Sequence, residues 1–254
     1  MTPCFVADIG NSRIKCALYK NKRLHGFVVL EDQIRNWNVF LAHCQEVAET
    51  QTESLLAWPW TVAAVKPAMC EQFVAGVRQL GFTVRVLSDY RELPIKVDVD
   101  VPERVGIDRL LSAVGAACRT NVGCASAIVS AGTAVTIDLV DGTSAFRGGV
   151  ILPGFRMMAR SLHEQTALLP LIENAQEAAA APARNTESAI RAGLSAAISG
   201  AVDRVVEQYR WMEPELKVIV TGGDAEHIQP RYCKPIVQPI LALLGLTVVA
   251  SGEQ

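Results

Sequence analysis

No part of this chain concentrates positive charge. Its 24 Lys and Arg are matched by 26 Asp and Glu, for a net charge of −2. Strong nonspecific nucleic-acid binding needs a basic face, and none is present. Long apolar runs are also missing. The longest, residues 240–250, falls short of the roughly 20 residues of a membrane-spanning helix. No secretory leader is expected, because the first four residues run straight into a strand that contains Asp8. The seven cysteines (Cys4, Cys16, Cys44, Cys70, Cys118, Cys124 and Cys233) form no CxxC pair. Their odd number argues against a complete disulfide framework, and they are expected to serve as small buried hydrophobes. His25, His43, His163 and His227 show no HxxxH or HExxH spacing, so no zinc site is read. GxxxxGK[ST] is absent, which disfavours a P-loop kinase. The expectation is a cytoplasmic protein with no nucleic-acid or membrane partner.

What is present is a near-repeat. Asp8-Ile9-Gly10-Asn11-Ser12 is echoed by Ser130-Ala131-Gly132-Thr133-Ala134. Each follows a short apolar run and precedes a β-like stretch, a turn and a second β-like stretch. Glycine admits a phosphate close to the backbone, and its neighbours offer N–H and O–H donors. Two such turns suggest two domains closing on one nucleotide; the plainer reading is two ordinary hairpins. The 254 residues suffice for two domains of about 125 each, drawn here as 1–122 and 123–254.

Patterning predicts strands at 4–9, 12–20 and 23–30, a helix over 32–49, a strand at 61–65, a helix over 67–80 and a strand at 84–87. Residues 88–105 read as irregular and 106–119 as helix. Strands then fit 125–130, 133–140 and 145–152, with a helix after Pro153-Gly154. The Ala-rich, Pro-broken segment 173–185 reads as a flap that is mobile without ligand or as a surface helix. A long helix fits 187–211, a strand 218–220, and a last helix starts at Pro239. The order implies α/β layers with mixed sheets.

Several residues carry chemistry. Asp8, at a strand end beside a Gly turn, can hold Mg²⁺ directly or through water. Asn11 and Ser12 can donate to phosphate oxygens, and Lys15 adds positive charge. Asp8 and Asn11 could equally satisfy turn backbone groups. Thr133 could bond a β- or γ-phosphate. Thr136 and Asp138 lie on the following strand, where Asp138 would be costly to bury unpaired; a polar strand face toward solvent is the plainer reading. Thr221-Gly222-Gly223-Asp224 would suit adenosine, although a plain turn is the simpler reading. Asp108 and Arg109 fall in the first turn of a helix, where the dipole favours an anion. Arg109 can grip a carboxylate or phosphate in a bidentate fork, and Asp108 could take a proton from an attacking hydroxyl. A local acid–base pair is the commoner use of such neighbours.

Seven motifs in order are Asp8-Ile-Gly-Asn-Ser, Gly106-Ile-Asp-Arg, Gly132-Thr-Ala-Val-Thr-Ile-Asp, Gly148-Gly-Val-Ile-Leu-Pro-Gly, Thr166-Ala-Leu-Leu-Pro, Asn185-Thr and Thr221-Gly-Gly-Asp. Together they resemble the type III pantothenate kinases of the acetate/sugar kinase–Hsp70–actin superfamily, over nearly the whole chain. The resemblance implies an α/β fold of two ribonuclease-H-like (actin-like ATPase) domains, each a mixed five-stranded sheet flanked by helices. It also implies ATP-dependent phosphorylation of pantothenate, the first step of coenzyme A synthesis.

Residue by residue, the resemblance assigns Asp8, Ile9, Gly10, Asn11, Ser12 and Lys15 to the first phosphate loop and its Mg²⁺. It assigns Gly132, Thr133 and Ala134 to the second, and Gly222 and Gly223 to adenosine. Asp108 is the implied general base, and Gly106, Ile107, Arg109 and Thr186 line the pantothenate pocket. A homodimer with that pocket at its interface is implied, as is a monovalent cation such as K⁺ or NH₄⁺. Many members carry an Asp where this chain has Ser130, whose hydroxyl and nearby carbonyls would make a weaker cation site. Many have a Tyr near Val99, where valine keeps apolar contact and loses the phenol. Ser12 replaces the commoner Thr and keeps the hydroxyl. A sugar kinase or polyphosphate hydrolase of the same superfamily, or a non-catalytic regulator, are the rival readings. The pair Asp8 and Asp108 favours an enzyme.

Overall fold

The computed structural model describes residues 3–31, 36–50, 52–119, 123–231 and 234–252. The chain forms two compact units. One comprises Met1–Ile95, Asp100–Cys118 and Ala242–Gln254, the other Lys96–Val99 and Arg119–Leu241. This is a more interleaved division than a single break at 122/123.

The first unit opens with β1 (Cys4–Ile9), β2 (Arg13–Lys20) and β3 (Arg23–Glu31). These are antiparallel neighbours joined by tight turns, as their local pattern predicts. Helix α1 (Trp37–Ala48) starts where the Asn36 side chain accepts from the Asn38 and Val39 N–H groups; the expected earlier start at residues 32–35 lies outside the described residues. Then come α2 (Thr52–Leu55), β4 (Trp60–Ala64), α3 (Pro67–Gln79) and β5 (Val84–Leu87). Pro67 opens α3, where its missing N–H costs nothing. The sheet order is β3-β2-β1-β4-β5, with β1, β4 and β5 parallel. The chain has few aromatic residues, and many gather in this core. Trp60, 1% exposed, stacks on Phe5 at 4.7 Å and meets Phe73 edge-on.

Residues 88–105 are less irregular than expected. They contain β6 (Lys96–Val97), which pairs in parallel with the later strand that starts at Ala145. A two-residue strand has no periodicity to read. It is held by backbone pairing, by the Asp98 N–H donating to Phe146 O (2.9 Å) and by ion pairs from Arg147 and Lys96 to Asp98. Helix α4 (Ile107–Ala117) follows.

The second unit continues with β7 (Ser126–Ala131), β8 (Ala134–Val140), β9 (Ala145–Pro153), α5 (Phe155–Glu164), α6 (Thr186–Met212), β10 (Lys217–Thr221) and β11 (Ile236–Val237). Its sheet order is β11-β10-β7-β8-β9-β6. It is therefore mixed as expected, with β6 as a sixth, short strand. The β8–β9 turn is set by Asp141, whose Oδ1 accepts from the Thr143 and Ala145 N–H groups. One face of α6 (Ile190, Leu194, Ile198, Val202, Val206) enters the core at four-residue spacing. No helix forms in 173–185; the segment is turns and bends, with Ala175, and Ile172 just before it, buried in the core. The surface-helix reading is thereby excluded.

Cys4, Cys16, Cys44 and Cys70 are buried, as expected of small hydrophobes. Cys118 is exposed and Cys124 half-buried, which corrects that expectation for both; Cys233 lies outside the described residues. Among the described residues no helix is long and apolar enough to cross a membrane.

The last helix, α7 (Leu241–Ser251), explains why the C-terminus belongs to the first unit. Its Gly245 sits so close to α4 that a Cβ there would fall on the Leu111 carbonyl oxygen. Backbone cannot rotate aside as a side chain can. Gly245→Ala gains about 1 kcal/mol of helix propensity but incurs an overpacking cost of about 1–3 kcal/mol. A lowered urea midpoint is expected; an unchanged or raised one would show that α7 shifts freely.

Candidate functional site

In the first unit, the site is built at the end of β1. Phe5, Ala7 and Ile9 face the apolar core, so the period-two alternation turns Asp8 to the opposite face. Asp8 is only 6% exposed. Its cross-strand partner is Lys15, with Nζ 4.0 Å from Oδ2. Burial pushes the Asp8 carboxyl up to about 6; Lys15 counteracts this, and the nearby Asp108 carboxylate adds to it. Two sequence candidates a hundred residues apart are therefore within electrostatic reach of each other.

The loop beyond Asp8 is a tight hairpin in which the Gly10 N–H donates to Arg13 O (3.0 Å). Asn11 and Ser12 are exposed. Ile9 has a fully buried side chain and so offers the loop only its backbone. Lys66 donates from Nζ to Asn11 O (3.4 Å). Sequence reasoning passed over Lys66. Its signal was topological: it lies two residues past β4, the parallel neighbour of β1.

Asp108 lies in the first turn of α4 behind Gly106, which caps the helix with no side chain of its own. Its Oδ1 accepts from the Arg109 N–H (2.9 Å), and its carbonyl accepts from Ser112 Oγ (2.8 Å). Gly106 and Ile107 line a cavity of ≈ 460 Å³ with Val65, Ser88, Arg91 and Glu103, at the carboxyl ends of β4 and β5.

In the second unit, β7, β9 and β10 run in the same direction. Their ends, Ala131, Pro153 and Thr221, therefore meet at one rim. There the Gly132 N–H donates to Ala134 O (3.0 Å), the Gly154 N–H to Thr133 O (3.1 Å) and the Asp224 N–H to Ala131 O (3.1 Å). Gly222 has φ +98°, and a Cβ on it would fall on the Ala131 carbonyl. Only glycine permits both the backbone angle and the approach. Thr133 and Gly223 are exposed, and Ser130 is half-buried. The turn after Gly223 leads into a short 3-10 turn, Ala225–His227.

Two further findings concern this unit. Asp138 is 1% exposed and accepts from Thr136 Oγ1 (3.0 Å), so it is not part of a solvent-facing strand. Thr186 is exposed at the start of α6, where Asn185 accepts from the Ser188 N–H (2.8 Å) as cap. Arg156, at the start of α5, reaches to 3.7 Å from the Asp224 carboxylate; the sequence reading did not single it out.

The residues at Asp8 fit a divalent cation. A carboxylate so buried, with one lysine at 4.0 Å, lacks positive charge. Among the described residues no cluster of three or more His, Cys, Asp or Glu makes a protein-only metal site. That is the donor pattern expected of Mg²⁺, which keeps waters and takes substrate phosphates.

The profile of the type III pantothenate kinase family matches residues 4–208. A type III pantothenate kinase of Rhodopirellula baltica is 36% identical over an alignment covering 94% of this chain and 95% of its own. Among solved structures, a conserved putative Baf family transcriptional activator from Campylobacter jejuni aligns with a TM-score of 0.62 at 20% identity, covering 98% of each chain. A ROK hexokinase from Thermus thermophilus aligns with a TM-score of 0.51 at 12% identity, covering 99% of each. Identities this low establish the shared fold alone.

The raised Asp8 carboxyl has a measurable consequence. A group protonated more readily in the folded state contributes stability that is complete below about pH 4 and is lost as pH rises through about 6. The ligand-free protein should therefore lose about 2–3 kcal/mol from this group between those values. In urea unfolding, Asp8→Asn should match the wild type near pH 4 and exceed it by about 1–3 kcal/mol at pH 7.5. Equal stability at both pH values would mean that Asp8 is solvated.

Proposed function

The chain belongs to the type III pantothenate kinase family, and from that premise we propose how its own residues phosphorylate pantothenate with ATP in coenzyme A synthesis. The observation that carries the assignment is the buried, proton-hungry Asp8 with Asp108 within its electrostatic reach. A carboxylate that raises its neighbour's proton affinity suits a site where a cation and a proton acceptor work together.

Asp8, Gly10, Asn11, Ser12 and Lys15, with the Ile9 backbone, form a phosphate loop. Mg²⁺ held at Asp8 would neutralise phosphate charge during transfer. Gly132, Thr133 and Ala134 form a second phosphate loop, and Gly222 and Gly223 face adenosine. The supporting geometry is the bare backbone of those glycines at the strand ends, half-buried at Gly132 and Gly222 and exposed at Gly223. Asp108 accepts the proton of the pantothenate primary hydroxyl as that oxygen attacks the γ-phosphorus. The bond to the β-phosphate oxygen breaks, and ADP leaves. Asp108 is held for this by the Arg109 N–H and by the first turn of α4. Gly106, Ile107 and Arg109 form the pantothenate pocket; the cavity beside Gly106 and Ile107 supports this. Thr186 is a further pantothenate contact, and the enzyme works as a cytoplasmic homodimer. Ser130 contributes a neutral oxygen to a weak K⁺ or NH₄⁺ site.

Asp108→Ala should lower turnover by about 10²–10⁴-fold with the KM for ATP little changed. Near wild-type turnover would remove Asp108 from the role of base. ADP release with ATP, Mg²⁺ and pantothenate should rise on adding K⁺ or NH₄⁺, and Ser130→Asp should lower the K⁺ concentration needed several-fold. Pantothenate-independent ADP release would point to another acceptor, and cation-independent turnover would take Ser130 out of a cation site.

A further inference from the structure

We infer that Arg156 is a further nucleotide contact, its guanidinium held from one side by Asp224 and donating from the other to a phosphate oxygen of ATP. The inference rests on the ATP-binding reading of the second unit. It starts from Asp224. This carboxylate is 6% exposed and directly follows Gly222 and Gly223, at the rim where Ala131 and Gly132 also end. An unmatched buried carboxylate there would repel an anionic ligand. Its ion-pair partner is Arg156, at 3.7 Å, with a side chain that remains 52% exposed.

One oxygen at that distance engages little of a guanidinium, which carries five N–H donors in a planar fork. An ion pair with so exposed an arginine also adds little to stability, so folding alone is a weak reason for the pairing. Position gives a better one. Arg156 is the second residue of α5, and that helix start is tied to the second phosphate loop by the Gly154 N–H donating to Thr133 O (3.1 Å). The Asp224 N–H is tied to Ala131 O (3.1 Å) on the other flank of the same loop. Both members of the pair are therefore anchored by backbone to the loop assigned to phosphate.

The helix end itself points the same way. The first turn of α5 carries no acidic residue and no side-chain cap, and it carries Arg156 instead. A cation at a helix N-terminus opposes the dipole. An anion bound beside it reverses the sign of that interaction and takes up the free N–H groups as well.

The test compares ATP, ADP and adenosine binding to the full-length wild type, Arg156→Ala and Arg156→Lys by calorimetry. Loss of a charge-assisted phosphate contact should weaken ATP and ADP by about tenfold or more and leave adenosine within about twofold. Arg156→Lys should recover part of the loss, because charge survives and the fork does not. Equal weakening of all three ligands would make Arg156 a structural residue, and unchanged ATP binding would remove it from the site. If Arg156→Ala fails to fold, the Arg156→Lys profile across the three ligands decides by the same criterion. A wild type that binds no ATP would instead overturn the nucleotide reading on which this one rests.

Discussion

Parallel pairing of β1 with β4, and of β7 with β10, governs where the chemistry can sit. Parallel neighbours cannot be joined by a tight turn, so the chain must cross over through helices. In the first unit the crossover is α1 and α2, and in the second α5 and α6. The crossover brings strand ends from distant parts of the sequence out side by side. Ile9 lies level with Ala64, which sets Lys66 against Asn11. Ser130 lies level with Thr221, which sets Gly222 against Ala131. An ATP-dependent kinase needs several backbone and side-chain donors at one point, and this topology gathers strand ends from distant segments in each unit.

Electrostatics then separates the two rims. At the first, Asp8 is buried with one lysine for company, and Asp108 adds more negative charge. The rim is short of positive charge, so the folded chain carries an unfavourable buried charge there. At the second, the buried carboxylate of Asp224 is already matched by Arg156. There the rim is mostly backbone, with Thr133 exposed among it. One rim holds a buried carboxylate short of positive charge, the other a buried carboxylate already paired with arginine.

Much of this was legible from local pattern. The β1–β2–β3 and β7–β8–β9 hairpins have tight turns and strands of six residues or more, so their order and bounds follow from alternation and turn residues. Asp8, Asp108, Gly132 and Gly222 were found because they sit at strand or helix ends with glycine beside them. Lys66 carries no such mark, whereas Arg156 follows Gly154 at the spacing at which Asp108 follows Gly106. Lys66 and Arg156 are each an ordinary basic residue near a helix start, and the meaning of each comes from what lies across the sheet. The side of the sheet that Asp138 faces could not be read from pattern for a related reason. Alternation says which residues share a strand face, and a strand face of polar residues reads the same whether it meets water or protein. The burial of Ala175 inside an Ala-rich, Pro-broken segment was hidden in the same way.

The sequence by itself determined the hairpins, the helices with clear caps, the glycine turns and the family to which the chain belongs, because these depend on residues a few positions apart or on motifs in a set order. Tertiary structure alone decided the rest. It drew Lys96–Val97 into the second sheet and seated α7 on α4 through Gly245. It buried Asp8 enough to change its proton affinity, and it paired Arg156 with Asp224. Each of these depends on desolvation or close contact between segments far apart in sequence, and neither quantity exists until the chain has folded.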